Sequence, residues 1–303
     1  MISIAIIGAG RLGTALGRTL AAHGYAVELV VARSLDSARR AAALIDPPPQ
    51  FQALEDLTAR PAARWLFLTT PDGALADTAA HLAALPAAAG PRRARIAWHT
   101  SGALASDILA PLHTGGYAVG SCHPLLSVSD AVTGAEALRR AFFCLEGELR
   151  AVSAAQRLVK SLGAQSFALT THDKPLYHAA AVMACGHLLA LFSLATDMLA
   201  PCGLPETTAR TILLPLVQST LDNLGRATPG AALTGPFARA DAATIARHLS
   251  VLQNSGLPDA LAAYLVLGRT SLDLARSRGA PAPVLDAIAH LLAQYAQPPH
   301  DAT

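Results

Sequence analysis

Charge is scarce in this sequence. Only 15% of its 303 residues are Asp, Glu, Lys or Arg, and 23 basic against 21 acidic residues leave a formal charge of +2. A chain so near neutrality offers no basic face for nucleic acid or an anionic membrane. At 52% hydrophobic it is equally unlike a disordered polypeptide. Aromatic residues, at 5%, are too few for a base-stacking surface. The four cysteines (Cys122, Cys144, Cys185 and Cys202) show no CxxC spacing. That excludes a zinc ribbon or thioredoxin-type motif and fits reduced, mostly buried thiols of a cytoplasmic protein. The eleven histidines contain neither HxH nor HExxH, so no catalytic metal is expected.

Targeting signals are missing as well. Met1–Gly8 has no basic region and too short an apolar run for a signal peptide, and it reads as a strand from the start. Ala179–Thr196 approaches the roughly 20 residues of a membrane span. It carries His187 in its middle, His178 and Asp197 at its ends, and no flanking basic cluster. The expectation is therefore the buried central helix of a soluble domain, with no membrane partner.

What is present is an alternation of short apolar strands and amphipathic helices. Strands are expected at Ile2–Ile7, Ala26–Val31, Trp65–Thr69, Arg95–Trp98, Ala118–Cys122, Phe142–Leu145 and Ser166–Leu169, with helices such as Arg11–His23, Leu35–Leu44 and Gly73–Leu85 between them. Continuous apolar runs are the mark of parallel strands covered on both faces, and the alternation predicts a doubly wound α/β sheet. Near Thr170 the pattern changes. From Pro175 onward only helices are expected, at about Pro175–Ala200, Pro205–Arg226, Asp241–Asn254, Pro258–Arg278 and Pro281–Ala296, with Asp241 as an N-cap and a kink at Pro215. The predicted organisation is a Rossmann domain over 1–170 and an all-helical domain over 171–303.

Gly8-Ala9-Gly10-Arg11-Leu12-Gly13 is a GxGxxG turn directly after a strand and before a helix. Gly8 permits the tight turn, Gly10 the approach of a pyrophosphate, and Gly13 close strand–helix packing, while free amides at the helix start favour the diphosphate. An NAD site places an acid at the end of the second strand, about 20 residues on. Here Arg33 and Ser34 stand in that place. A guanidinium with a neighbouring hydroxyl suits a 2′-phosphate, with Arg39 or Arg40 as a second cation, so NADP (NADPH) is the expected cofactor. Thr70 and Pro71 are expected to line the cofactor, and Asp72 to cap the next helix.

The later strand ends carry His99-Thr100-Ser101-Gly102 and Cys122-His123-Pro124. Reducing a carbonyl or imine needs a proton donor or a polarising hydrogen bond, which His99, Ser101 or His123 can supply. At the domain junction, Lys174, Tyr177 and His178 open the long apolar helix; Lys174 suits a substrate carboxylate or a proton, and His178 needs a partner. Asp173 is expected to cap that helix. Arg239 is a weaker anion-clamp candidate, and Arg92, Arg93 and Arg95 read as a solvated approach to a strand.

These motifs resemble a bacterial family of Rossmann-like oxidoreductases with a C-terminal helical domain of unknown function. The residues concerned are GAGRLG at Gly8–Gly13, HTSGAL at His99–Leu104, HPL at His123–Leu125, KPLYHAAAV at Lys174–Val182 and TGPFARAD at Thr234–Asp241. More distantly the chain resembles pyrroline-5-carboxylate reductase, deazaflavin-dependent NADP reductases, prephenate dehydrogenase and β-hydroxyacid dehydrogenases. The resemblance implies a 6-phosphogluconate-dehydrogenase-like all-α domain, a homodimer, and an NADP-dependent oxidoreductase acting on a small-molecule carbonyl or imine. His123-Pro124 looks like the His-Pro near the substrate of prephenate dehydrogenases. The glycine-rich stretch and interdomain Lys-Asn of the β-hydroxyacid enzymes have no match here, nor does the substrate loop of pyrroline-5-carboxylate reductase. The alternative is a non-catalytic NADP-binding regulator that reads redox state.

Overall fold

The computed structural model describes residues 1–87 and 95–296. Two compact units divide the chain, Met1–Cys185 and Gly186–Thr303, so the first helix after the sheet goes with the sheet. Eight strands build the first unit: β1 (Ser3–Ile7), β2 (Ala26–Ala32), β3 (Gln50–Ala53), β4 (Trp65–Leu68), β5 (Arg95–His99), β6 (Tyr117–Leu125), β7 (Phe142–Gly147) and β8 (Gln165–Ala168). They form one sheet in the order β3-β2-β1-β4-β5-β6-β7-β8. The chain starts at β1, winds outward through β2 and β3, then returns to β1's other side at β4. That reversal makes the carboxyl ends of β1 and β4 a switch point, where such sheets open a crevice.

The helices are α1 (Arg11–Ala22), α2 (Leu35–Ala42), α3 (Asp72–Ala84), α4 (Ala131–Leu138), α5 (Leu149–Ser161) and α6 (Lys174–Ala184). Central strands such as β4, WLFL, are buried at every residue, because helices cover both faces. One face packs Ile4, Phe67, Trp98 and Leu158 together; the other packs Ile7, Leu66, Leu75 and Leu109. Arg60, itself buried, donates to the carbonyls of Leu82, Ala83 and Leu85 and so closes the carboxyl end of α3.

Two features of the sheet differ from the expectation, one in direction and one in strand number. β7 runs antiparallel to β6, with Ser121 opposite Glu146 and His123 opposite Cys144. Apolar content reports burial and is silent on direction. The edge strand β3, Gln50–Ala53, is too polar to announce itself. Arg95 lies 5.6 Å from the Tyr117 ring centroid as a cation–π pair, while Arg92 and Arg93 fall outside the described residues.

The second unit is helical throughout its described residues: α7 (Gly186–Asp197), α8 (Glu206–Leu224), α9 (Pro229–Ala232), α10 (Gly235–Ala238), α11 (Ala242–Gln253), α12 (Pro258–Ser277) and α13 (Ala282–Tyr295). Its core joins Ile245 and Leu249 of α11, Leu265 and Leu272 of α12, and Ile288 and Leu292 of α13. Asp241 caps α11 by accepting from the Thr244 amide at 3.0 Å, as its position predicts. Pro215 lies within the single helix α8.

The expected buried helix is not buried. Ala179–Thr196 is interrupted at Cys185, and in α6 and α7 only Lys174 and Thr196 are fully covered. The stretch Thr171–Cys202 is long and apolar enough to cross a membrane by length and composition. Its apolarity was legible; what covers it was not. Likewise only two of the four free cysteines, Cys122 and Cys144, are buried, while Cys185 and Cys202 are exposed.

Candidate functional site

The GxGxxG turn sits at the switch point. Gly8 has φ +121°, and a Cβ there would fall 2.6–2.8 Å from the Thr69–Thr70 backbone. Gly13 packs so closely that a Cβ would strike the Gly8 carbonyl and the Thr69 hydroxyl. Thr69 completes the joint, its amide donating to Ile7 O (2.8 Å) and its hydroxyl to Gly8 O (2.6 Å). Gly10, by contrast, faces open space and starts α1 with no side chain over the first amides. Buried alongside, the Thr70 hydroxyl has no hydrogen-bond partner among the described residues. Rigid turn, open backbone and orphaned hydroxyl together fit a dinucleotide diphosphate.

The remaining cofactor candidates sort by what they already hold. Leu12 packs against the core, and the Arg11 guanidinium is 3.4 Å from Ser129 O. Ser34 caps α2 through the Ser37 amide at 3.3 Å. Asp36 takes both Arg39 and Arg40 into ion pairs, so neither is the free second cation expected. Arg33 is exposed and carries no ion pair among the described residues. Pro71, not Asp72, is the N-cap of α3, and Asp72 instead accepts the Ser101 hydroxyl at 2.8 Å.

Because β1, β4, β5 and β6 are parallel, their carboxyl ends bring the other candidates to the same edge. His99 is fully buried and both ring nitrogens are occupied: Nδ1 accepts from Ser101 N and Nε2 donates to Ala105 O, each at 3.1 Å. Burial, aided by the Lys174 charge, holds its pKa down at about 3, so it is a neutral brace for the loop. The Ser101 hydroxyl is committed too, donating to Asp72 and accepting from the amides of Ala103 and Leu104 at 3.2 and 3.0 Å.

Three side chains face one another past the loop. His123 Nδ1 lies 2.8 Å from the Tyr177 hydroxyl, and the two rings meet edge to face. His178 meets His123 at a 5.9 Å centroid distance. Gly102 lies between them: a Cβ there would collide with His178 Cδ2 and come within 2.9 Å of His123 Nε2. Burial first, then the Lys174 charge and His178, brings His123 down to about 4. Burial and the neighbouring Cys144 raise Tyr177, which therefore keeps its proton. The arrangement is a neutral imidazole hydrogen-bonded to a protonated phenol.

Lys174 does not face this opening. Its ammonium is fully buried and donates to Ser101 O (3.1 Å) and to the Ser121 hydroxyl. The buried carboxylate of Glu146 lies close to that charge, itself held by Ser106 N, the Ser106 hydroxyl and the Thr171 hydroxyl at 2.8–2.9 Å. Asp173 stands at the N-cap of α6, yet its carboxylate accepts from the Thr170 hydroxyl rather than the helix amides. Tyr177, Glu146 and Asp72 were the partners sequence reasoning left unpaired. The KPLYH spacing was the available signal, since i, i+3 and i+4 share a helix face.

Comparison with known proteins agrees with this architecture. Residues 1–124 match the Rossmann-like domain, and residues 141–271 match the domain of unknown function DUF2520. The chain pairs a Rossmann-like domain with a DUF2520 domain. It matches no curated protein sequence. Among solved structures, a Bacteroides fragilis protein named as an NADP oxidoreductase gives a TM-score of 0.69 at 22% identity, covering 90% of this chain and 98% of that one. A Thermotoga maritima protein gives 0.68 at 22%, covering 91% and 100%. A reductive aminase from Aspergillus terreus, in complex with NADPH and ethyl-5-oxohexanoate, gives 0.56 at 16%, covering 98% and 94%. At these identities the likeness is one of fold, and it is the fold the resemblance implied.

Proposed function

We propose that the protein is an NADP-dependent oxidoreductase that moves a hydride between NADPH and a small carbonyl or imine substrate, as a cytoplasmic homodimer. One observation carries this reading: the Gly8–Gly13 turn, with its open backbone, shares a sheet edge with the His123–Tyr177–His178 cluster. When bound, NADPH would supply the hydride. The names of the fold relatives, an NADP oxidoreductase and a reductive aminase in complex with NADPH, support the same class. Arg33, free of any ion pair among the described residues, is the residue for the 2′-phosphate, now that Arg39 and Arg40 are engaged by Asp36.

On the protein side, this reading has Tyr177 donate to His123 Nδ1, 2.8 Å away, so that the imidazole proton sits on Nε2 beside Gly102. That N–H, with His178 next to it, polarises the reacting carbonyl or imine. Ser101, His99 and Lys174 shape the surrounding loop. Titration with NADPH and NADH, followed by nucleotide fluorescence, tests the cofactor. NADPH should bind more tightly, and Arg33→Asp should remove the preference. A carbonyl and imine screen then tests turnover, which His123→Ala should abolish with NADPH affinity unchanged. Full turnover in His123→Ala would sink the assignment. NADPH binding without hydride transfer to any substrate would point to the redox-sensing alternative.

A further inference from the structure

Lysine is nearly absent from this chain. Of its 23 basic residues, 21 are arginine, and the only lysines are Lys160 and Lys174. One of those two is fully buried at the sheet edge. The choice has a physical reading, because an ammonium is a compact charge on a thin stem, whereas a guanidinium is a planar fork. Gly102 and its neighbours leave little room at this rim, where a single added Cβ would strike two rings.

What Lys174 holds is more specific than a buried charge. Its ammonium donates to Ser101 O, on the loop after β5, and to the Ser121 hydroxyl, on β6; Ser121 itself donates to Ser101 O at 3.3 Å. Glu146, directly opposite Ser121 on β7, supplies the countercharge and bonds the Thr171 hydroxyl just before α6. The first turn of α6 has no side-chain cap, since Asp173 is turned to Thr170. Lys174 ties that turn to the ends of β5 and β6, while further along the helix Tyr177 packs edge to face on Phe167 of β8. Three and four residues after Lys174, on the same face of the helix, come Tyr177 and His178, the two side chains that meet His123.

We propose that Lys174 is a positioning residue: by pinning the first turn of α6 to the ends of β5 and β6, it sets Tyr177 against His123 Nδ1. This rests on His123 being a member of the active site, but its test needs no substrate. The pin also explains why a lysine sits at the site without reaching substrate. A carboxylate-binding role would need an exposed ammonium, and this one is enclosed.

The experiment is side-chain ¹⁵N NMR of the histidines in the full chain, with the His123 signals assigned by His123→Ala. Tyr177→Phe records the signature of a His123 whose Nδ1 has lost its partner. Lys174→Met should give that same signature, and His123 should titrate higher as the ammonium is removed. The other titratable groups around His123 (His178, Tyr177, His99 and Cys144) are unchanged in that variant. Lys174→Arg separates position from charge: His123 should lose its Tyr177 signature while still titrating low. If Lys174→Met fails to fold, Ser121→Ala removes one of the pin's partners and should weaken the Tyr177 signature in the same direction. A wild-type His123 signature in folded Lys174→Met or Lys174→Arg would overturn the proposal. Unaltered turnover in His123→Ala would instead overturn the assignment of the active site and leave this structural result standing.

Discussion

His123 and Tyr177 stand 54 residues apart and share a 2.8 Å hydrogen bond at the carboxyl edge of the sheet. One comes from a strand and the other from the helix that follows the sheet, so their meeting depends on every element between. Gly102 fills the remaining space. Two rings already fixed by hydrogen bonding and edge contacts press on it, and neither can yield without giving up a partner.

Gly102→Ala should therefore cost about 1–3 kcal/mol of stability, as overpacking does. It should depress hydride transfer far more than NADPH affinity. Gly73→Ala is the matched control: Gly73 lies in α3 with open space where a Cβ would go, so alanine there should be neutral or stabilising by up to about 1 kcal/mol. Urea unfolding of both variants checks the pair. Equal behaviour of the two would mean that the rings can move aside freely.

The general plan of the fold was legible because helices and buried strands leave periodic and continuous apolar signatures. GxGxxG was legible because its glycines recur at a fixed spacing within six residues, even though the close packing of Gly8 and Gly13 on Thr69 and Thr70 is not local. The roles of Asp72, Ser101 and Lys174 were not. Asp72 looks like a helix cap and is a partner for Ser101; Lys174 looks like an exposed helix start and is buried. Each of these is decided by a contact with a residue far away in the chain, and local spacing holds no record of it. The apolar stretch after Pro175 misled for a related reason, since hydrophobicity marks a surface to be covered without naming the cover.

Acid should loosen this protein in a defined window. In the unfolded chain a histidine takes up its proton near pH 6.5. In the folded protein His123 waits until about 4 and His99 until about 3, because burial disfavours the charged rings and Lys174 opposes them. Between pH 6.5 and 4 the unfolded state binds more protons, so stability falls as pH falls, by about 1.4 kcal/mol per pH unit for each histidine. Protonating His99 Nδ1 would also break its bond from Ser101 N. Denaturant unfolding at pH 7, 6 and 5 should show this slope, and His99→Asn should show about half of it. A flat profile would contradict the buried neutral rings.

The apolar faces of α7 and α8 set the last expectation. Leu189 is 68% exposed and Leu216 64%, and a groove of about 930 Å³ runs between the two helices, lined by Leu188, Phe192, Leu214 and Leu221 among others. Apolar area on this scale is rarely left to water. A second copy of the chain would cover it most economically, since one self-complementary face serves both partners and obligate homodimers bury on the order of 2,000 Å² or more. Sedimentation in detergent-free buffer should then show a dimer at micromolar concentration. Leu189→Asp with Leu216→Asp should weaken it by at least about tenfold, because each charge would be buried without a partner. A protein that stays dispersed only in detergent would assign the same face to lipid. A stable monomer would show that the helices close on each other and that the groove is emptied within one chain.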